Sequence, residues 1–168
     1  MTKLYANPYN IDAAGFYFES ADEFTEKSQN LTDRYSNLLE EFEIDFIDGD
    51  DAALFNACGI NQANLSLYFE DIEPLNETDK AALYFLLSDL GYGLPDALEK
   101  VYEVSLYEGK LLDAAGELFD ECYLHKMPEQ IRYYVDYEKF ARDCEVGRDM
   151  IEFEYSGATY TCTNASEI

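Results

Sequence analysis

The chain is short of positive charge. Lys and Arg number 11 against 36 Asp and Glu, with one His, for a net charge of −25 over 168 residues. Such a chain does not bind nucleic acid through its own charge, because the phosphates repel it, and anionic membrane surfaces are excluded on the same ground. Cations and strongly basic protein surfaces are the partners it suits. Long apolar runs are missing too. The longest, Ala81–Leu87, falls far short of the ~20 residues a membrane-spanning helix needs. The opening MTKLYANPYN lacks the apolar core of a signal peptide. The four cysteines, Cys58, Cys122, Cys144 and Cys162, form no CxxC pair and match no common zinc spacing. The expectation is a cytoplasmic protein with reduced, structural thiols and no metal.

Signals of catalysis are also scarce. No Walker A or GxGxxG pattern occurs, so nothing points to a nucleotide cofactor. No serine or cysteine stands in a nucleophile-elbow context. The single histidine, His125, lies at the C-terminal end of an amphipathic stretch, where a helix end favours partial positive charge. The run IDFIDGDDAALFN resembles a calcium loop only loosely. Counted from Asp45, glycine falls at the fifth place rather than the sixth, and the twelfth place holds Asn56 instead of a glutamate. A carboxylate pair for glycoside hydrolysis carries no information among this many acids. The expectation is a protein that is not an enzyme and needs no cofactor.

What the chain does have is enough apolar material for a core: 48% hydrophobic residues and 15% aromatic, with 15 tyrosines among them. Strands are expected at Leu4–Tyr9, Gly15–Glu19 and Glu40–Ile47, weak helix at Ala21–Asn37, and a short helix at Asp51–Cys58. The middle is helical. Leu65–Ile72 runs into Pro74, and Asn76 is placed to cap a helix whose buried face is Leu83, Leu86, Leu87 and Leu90 and which Gly91 closes. A further helix with Pro95 in its first turn carries Leu94, Leu98, Val101 and Tyr102. Lys110–Leu124 is the clearest amphipathic helix, with Leu111, Leu112, Ala115, Leu118, Phe119 and Cys122 on one face. Pro128 opens a short turn, Tyr137–Val146 reads as helix, and Met150–Tyr155 with Ala158–Cys162 reads as a hairpin around Ser156-Gly157. The class is α+β. Three domains are expected: an N-terminal sheet-plus-helix domain over 1–60, a central helical domain over 61–103, and a C-terminal α+β domain over 104–168.

The acids follow the elements. In EEFEIDFIDGDD, Phe42, Ile44 and Phe46 alternate with Glu41, Glu43 and Asp45, so one strand face is apolar and the other carries carboxylates. Asp113, Glu117 and Asp120 stack on one helix face, although like charges at that spacing cost a few tenths of a kcal/mol per pair. Glu152 and Glu154 take the outward positions of the last hairpin. Residues 1–60 carry 13 acids and 3 bases, 61–103 carry 9 and 2, and 104–168 carry 14 and 6, so the charge is no disordered tail. Two explanations stand at this point. Solubility, or a salt-rich cytoplasm, scatters charge wherever solvent is. Imitation of DNA lines it up: carboxylates recur every ~6.6 Å on one strand face and every ~5.4 Å on a helix face, against one phosphate charge per ~1.7 Å of duplex axis. The tyrosine cluster in IRYYVDYEKF reads equally as core packing or as a protein interface.

The stretch ELFDECYLHKMPEQIRYYVDYEKFARDCEV resembles the ArdA antirestriction family through Pro128, Tyr134, Val135, Asp136, Tyr137, Arg142 and Asp143. LYANPYNIDAAGFYF is similar to the family's opening at Tyr9, Asn10 and Gly15. Where the family often has Trp after that glycine, this chain has none, and Phe16–Phe18 stand in its place. The middle matches only in acidity and helical character. The resemblance implies an elongated, curved homodimer of three small domains, joined through the C-terminal one. Such a protein comes from a mobile element or phage and occupies the DNA-binding groove of type I restriction–modification enzymes, at their specificity and methyltransferase subunits. The acids expected on the DNA-like surface are Glu40, Glu41, Glu43, Asp45, Asp48, Asp50, Asp51, Glu70, Asp71, Glu73, Glu77, Asp79, Asp113, Glu117, Asp120, Glu121, Asp136, Glu138 and Asp143. Tyr133, Tyr134, Tyr137 and Phe140 are the expected dimer contacts. A CRISPR effector or another DNA-binding defence protein is an alternative target of the same physics, and an ordinary halophile protein or a carboxylate-based hydrolase is the alternative of another class.

Overall fold

Leu4, Ala6 and Pro8 are buried and alternate with Lys3, Tyr5 and Asn7, which makes Lys3–Pro8 a half-buried strand, β1. It is central in an antiparallel sheet, flanked by β2 (Phe16–Phe18) and β3 (Phe42–Asp48) in the order β2-β1-β3. The computed structural model describes residues 2–168. They form a mixed α+β structure that divides into two compact units, one ending at Asn76 and the other running from Glu77 to Ile168.

In the first unit the inner sheet face is aromatic. Helix α1 (Ala21–Ser28) starts where the Ser20 hydroxyl accepts the Glu23 N–H at 3.1 Å. Its one buried residue, Phe24, meets Phe16, Phe18 and Phe42 with ring centroids 5.8, 5.2 and 5.8 Å apart. A side chain at Gly15 would run into the Ala6 carbonyl and the Tyr5 ring. The helix does not continue to Asn37 as the sequence suggested. Asp33 instead folds the chain on itself, its carboxylate accepting the N–H groups of Tyr35 at 2.8 Å and Asn37 at 2.9 Å. Side chains of this kind compete with helix by bonding the local backbone. Helix α2 (Ala52–Ala57) buries Leu54 and Phe55. Helix α3 (Leu65–Leu67) then widens into a π-turn over Tyr68–Ile72, closed by the Glu73 N–H on the Tyr68 carbonyl at 2.8 Å. Tyr68 and Ile72 are fully buried there, with Tyr68 edge-on to Phe55.

The second unit contains α4 (Glu77–Ser88), α5 (Leu94–Lys100), β4 (Leu106–Glu108), α6 (Leu111–Cys122), α7 (Glu129–Arg132), α8 (Tyr137–Val146), β5 (Ile151–Tyr155) and β6 (Ala158–Cys162). Ser156 and Gly157 both have positive φ, 50° and 79°, as a two-residue hairpin turn of matching twist requires. The sheet order is β4-β6-β5. On one face Phe153 stacks on Phe85 of α4 at 4.9 Å, and Tyr155 meets Tyr84 at 5.1 Å. Helices α6 and α8 pack through Leu111, Ala114, Ala115, Ala141 and Cys144, with Met150 closing the cluster. The contact runs on small side chains, which let the helices approach closely. Leu112 and Leu118, expected on the buried face, are exposed instead, and so is Tyr102.

Candidate acidic interaction surface

Strand β3 is a sheet edge, and its outward residues meet those of β1: Asp45 lies opposite Tyr5, and Glu43 opposite Asn7. Phe42 and Ile44 face inward and are buried. The lead-in is held by one side chain. Gln62 accepts the Phe42 N–H at 3.0 Å and donates to the Glu40 carbonyl at 2.9 Å, so the backbone of Glu40–Phe42 is fixed and the carboxylates of Glu40 and Glu41 stay exposed. The outward face is not wholly acidic, because Ile47, two residues beyond Asp45, is 49% exposed. Asp48 and Asp50 follow in solvent around Gly49, whose φ of +136° a side chain would strain.

Asp51 does not belong to this surface. It is 6% exposed and begins α2, its carbonyl accepting the Phe55 N–H at 2.8 Å. Glu73 is half-buried and accepts the Thr2 N–H at 3.2 Å, a tether between the chain start and the π-turn. Glu70 and Asp71 project from that turn into solvent.

In the second unit, Glu77 and Asp79 occupy the first turn of α4, Asp113 that of α6 and Glu138 that of α8. Asp136 caps α8, accepting the Lys139 N–H at 3.0 Å. A negative charge at these positions is favoured by the helix dipole by about 0.3–1 kcal/mol, so folding alone accounts for them. Other acids stand where the same physics opposes them. Asp120 and Glu121 lie in the last turn of α6, and Asp143 and Glu145 in the last turn of α8. Neither turn contains a basic residue. Asp136, Glu138 and Asp143 share a groove of about 410 Å³ with Lys139 and Arg142.

Two of the α6 acids are held by phenols. The Tyr107 hydroxyl donates to Glu117 Oε1 at 3.2 Å, and the Tyr137 hydroxyl makes a short bond to Asp120 Oδ1. Both phenols are shifted above the usual tyrosine range. Partial burial is the main cause for Tyr107, followed by the Glu117 bond; for Tyr137 the bond to Asp120 leads. These four residues, with Leu112, Asp113, Gly116 and Glu138, line a groove of about 480 Å³. Of the expected dimer contacts, Tyr133 and Tyr134 are 87% and 85% exposed. Tyr137 and Phe140 already pack on Phe119, at 5.6 and 5.1 Å between ring centroids. Sequence reasoning had no means of finding Gln62 or Tyr107. Gln62 acts through a contact 20 residues distant, and Tyr107 sits on a strand of three residues, too short to show alternation.

Among the described residues no group of three His, Cys, Asp or Glu is arranged to hold a metal ion. No described helix is long and apolar enough to cross a membrane. Cys58 is buried, and burial pushes its thiol up to about 12.

A family model described as antirestriction protein (ArdA) matches residues 9–158, most of the chain. The chain belongs to the ArdA antirestriction family, whose members act against restriction–modification enzymes. No individual curated protein matches it.

Proposed function

We propose that this protein is a DNA mimic that inhibits type I restriction–modification enzymes without catalysis. Its carboxylates occupy the basic groove across the specificity and methyltransferase subunits, and DNA is excluded. The observation that carries the reading is the placement of Asp120 and Glu121, exposed in the last turn of α6, a turn that contains no base. Charge kept only for solubility has no reason to collect where the helix dipole disfavours it. A surface that must present anions to a basic partner does.

The acids that serve this surface are Glu40, Glu41, Glu43, Asp45, Asp48 and Asp50 around β3 and Glu70 and Asp71 on the π-turn in the first unit, and the acids of α4, α6 and α8 in the second. Two copies join through Tyr133 and Tyr134, aromatic side chains of the kind that anchor interfaces. The working compartment is the cytoplasm of a bacterium carrying the phage or mobile element that encodes it. Displacement of a fluorescent target duplex from a purified type I enzyme tests the reading. Stoichiometric, competitive displacement supports it; a ternary complex with DNA still bound overturns it.

A further inference from the structure

Tyr107 and Tyr137 lie 10 and 17 residues in sequence from the carboxylates they hold, and they come from different elements, β4 and α8. Their rings have packing roles: Tyr107 lies against the α6–α8 core and Tyr137 against Phe119. Phenylalanine would serve both roles. The hydroxyls do something else. They take one oxygen each from Glu117 and Asp120, three residues apart on α6, and leave Oε2 and Oδ2 to accept from another group. An exposed hydrogen bond of this kind adds little to stability, since water replaces it. It does restrict a side chain that would otherwise be ordered only on contact with a partner, and ordering on contact weakens association.

We propose that Tyr107 and Tyr137 are positioning residues for inhibition: their hydroxyls fix Glu117 and Asp120 in the pose in which these carboxylates receive basic side chains of the target enzyme. The inference rests on the reading of the acidic surface as the enzyme-facing one. Rotamer freedom is then lost when the chain folds and not when the complex forms. The tyrosines add no charge, so they set the strength of binding at a given salt concentration and leave its salt dependence alone.

The test uses Y107F, Y137F, the double variant and the neutralised pair E117Q/D120N in the full-length protein, with inhibition of a type I enzyme measured by duplex displacement across a salt series. Each phenylalanine variant is expected to keep the wild-type melting temperature and salt slope while its inhibition constant rises about 2- to 10-fold. E117Q/D120N is expected to flatten the slope. In that neutralised background the phenylalanine substitutions have no further effect, because the carboxylates they position are gone. Wild-type inhibition by Y107F/Y137F alongside weakened inhibition by E117Q/D120N overturns the inference and leaves the functional reading intact. A phenylalanine effect that persists undiminished in the neutralised background overturns it in the same way. If E117Q/D120N itself inhibits like the wild type, this face does not meet the enzyme, and the inference falls with that reading.

Discussion

The Glu152 carboxylate on β5 accepts the Leu111 N–H at 2.7 Å and so supplies the first turn of α6 with a cap that its own sequence lacks. Lys110, at the N-cap position, cannot accept a bond through its side chain. An acid that reads from the sequence as one more outward charge is therefore part of the fold. Glu152→Ala should lower the stability of the second unit by about 0.5–2 kcal/mol, as loss of a helix cap does. Denaturant unfolding of the purified variant measures this, and inhibition by the fraction that remains folded should match the wild type.

The acids at helix starts and those at helix ends should answer oppositely to neutralisation. Asp136→Ala removes the α8 cap and should cost about 0.5–2 kcal/mol. Glu121→Gln and Asp143→Asn relieve repulsion with the helix dipole and should each stabilise by about 0.3–1 kcal/mol. The stabilised variants should inhibit less well, the usual trade between stability and a functional site. Paired unfolding and inhibition curves for the three variants check both halves.

The phenols give a sign for alkaline pH. Tyr107 and Tyr137 have folded-state values raised above the unfolded one, so the native state holds their protons more tightly. Below the unfolded tyrosine value of about 10 both hydroxyls are neutral and alter stability little; as pH rises from there through the raised folded values, their ionisation, opposed in the native state by partial burial and by Glu117 and Asp120, favours unfolding. Stability should fall above that point, and Y107F/Y137F should show a shallower fall. Thermal melts from about pH 8 to about pH 11, spanning that unfolded value, read it directly on both proteins.

The thiols should report the core. Cys58, Cys144 and Cys162 are buried and shifted upward, chiefly by burial, while Cys122 is partly exposed. A thiolate-specific reagent at about pH 8 should label Cys122 first and the other three only on unfolding. Mass spectrometry of briefly labelled native protein shows which cysteine has reacted.

The sequence was most legible where one period ran long enough to see. Alternation of Phe42, Ile44 and Phe46 with Glu41, Glu43 and Asp45 located β3, and Tyr137–Val146 came out as α8 with the bounds expected. Ser156-Gly157 marked the hairpin because that turn needs two positive φ angles. It was least legible where a side chain acts at a distance. The π-turn at Tyr68–Ile72 shares the apolar spacing of an ordinary helix end, and only packing around Tyr68 distinguishes it. In the acidic surface, counting carboxylates could not separate Asp51, which is buried, or Asp136, which is a cap, from Glu121 and Asp143, which stand against the helix field. Charge is visible in a sequence; the position of a charge in a helix's field becomes visible once the helix ends are known.

The most direct test is the salt dependence of this protein's own affinity for a type I enzyme, compared with a variant carrying Glu117→Gln, Asp120→Asn, Glu121→Gln and Asp143→Asn together. A DNA-like surface predicts an affinity that falls steeply and linearly on logarithmic axes as salt rises, and a shallower line for the variant. An affinity indifferent to salt, or a variant whose line runs parallel to the wild type, would contradict the account.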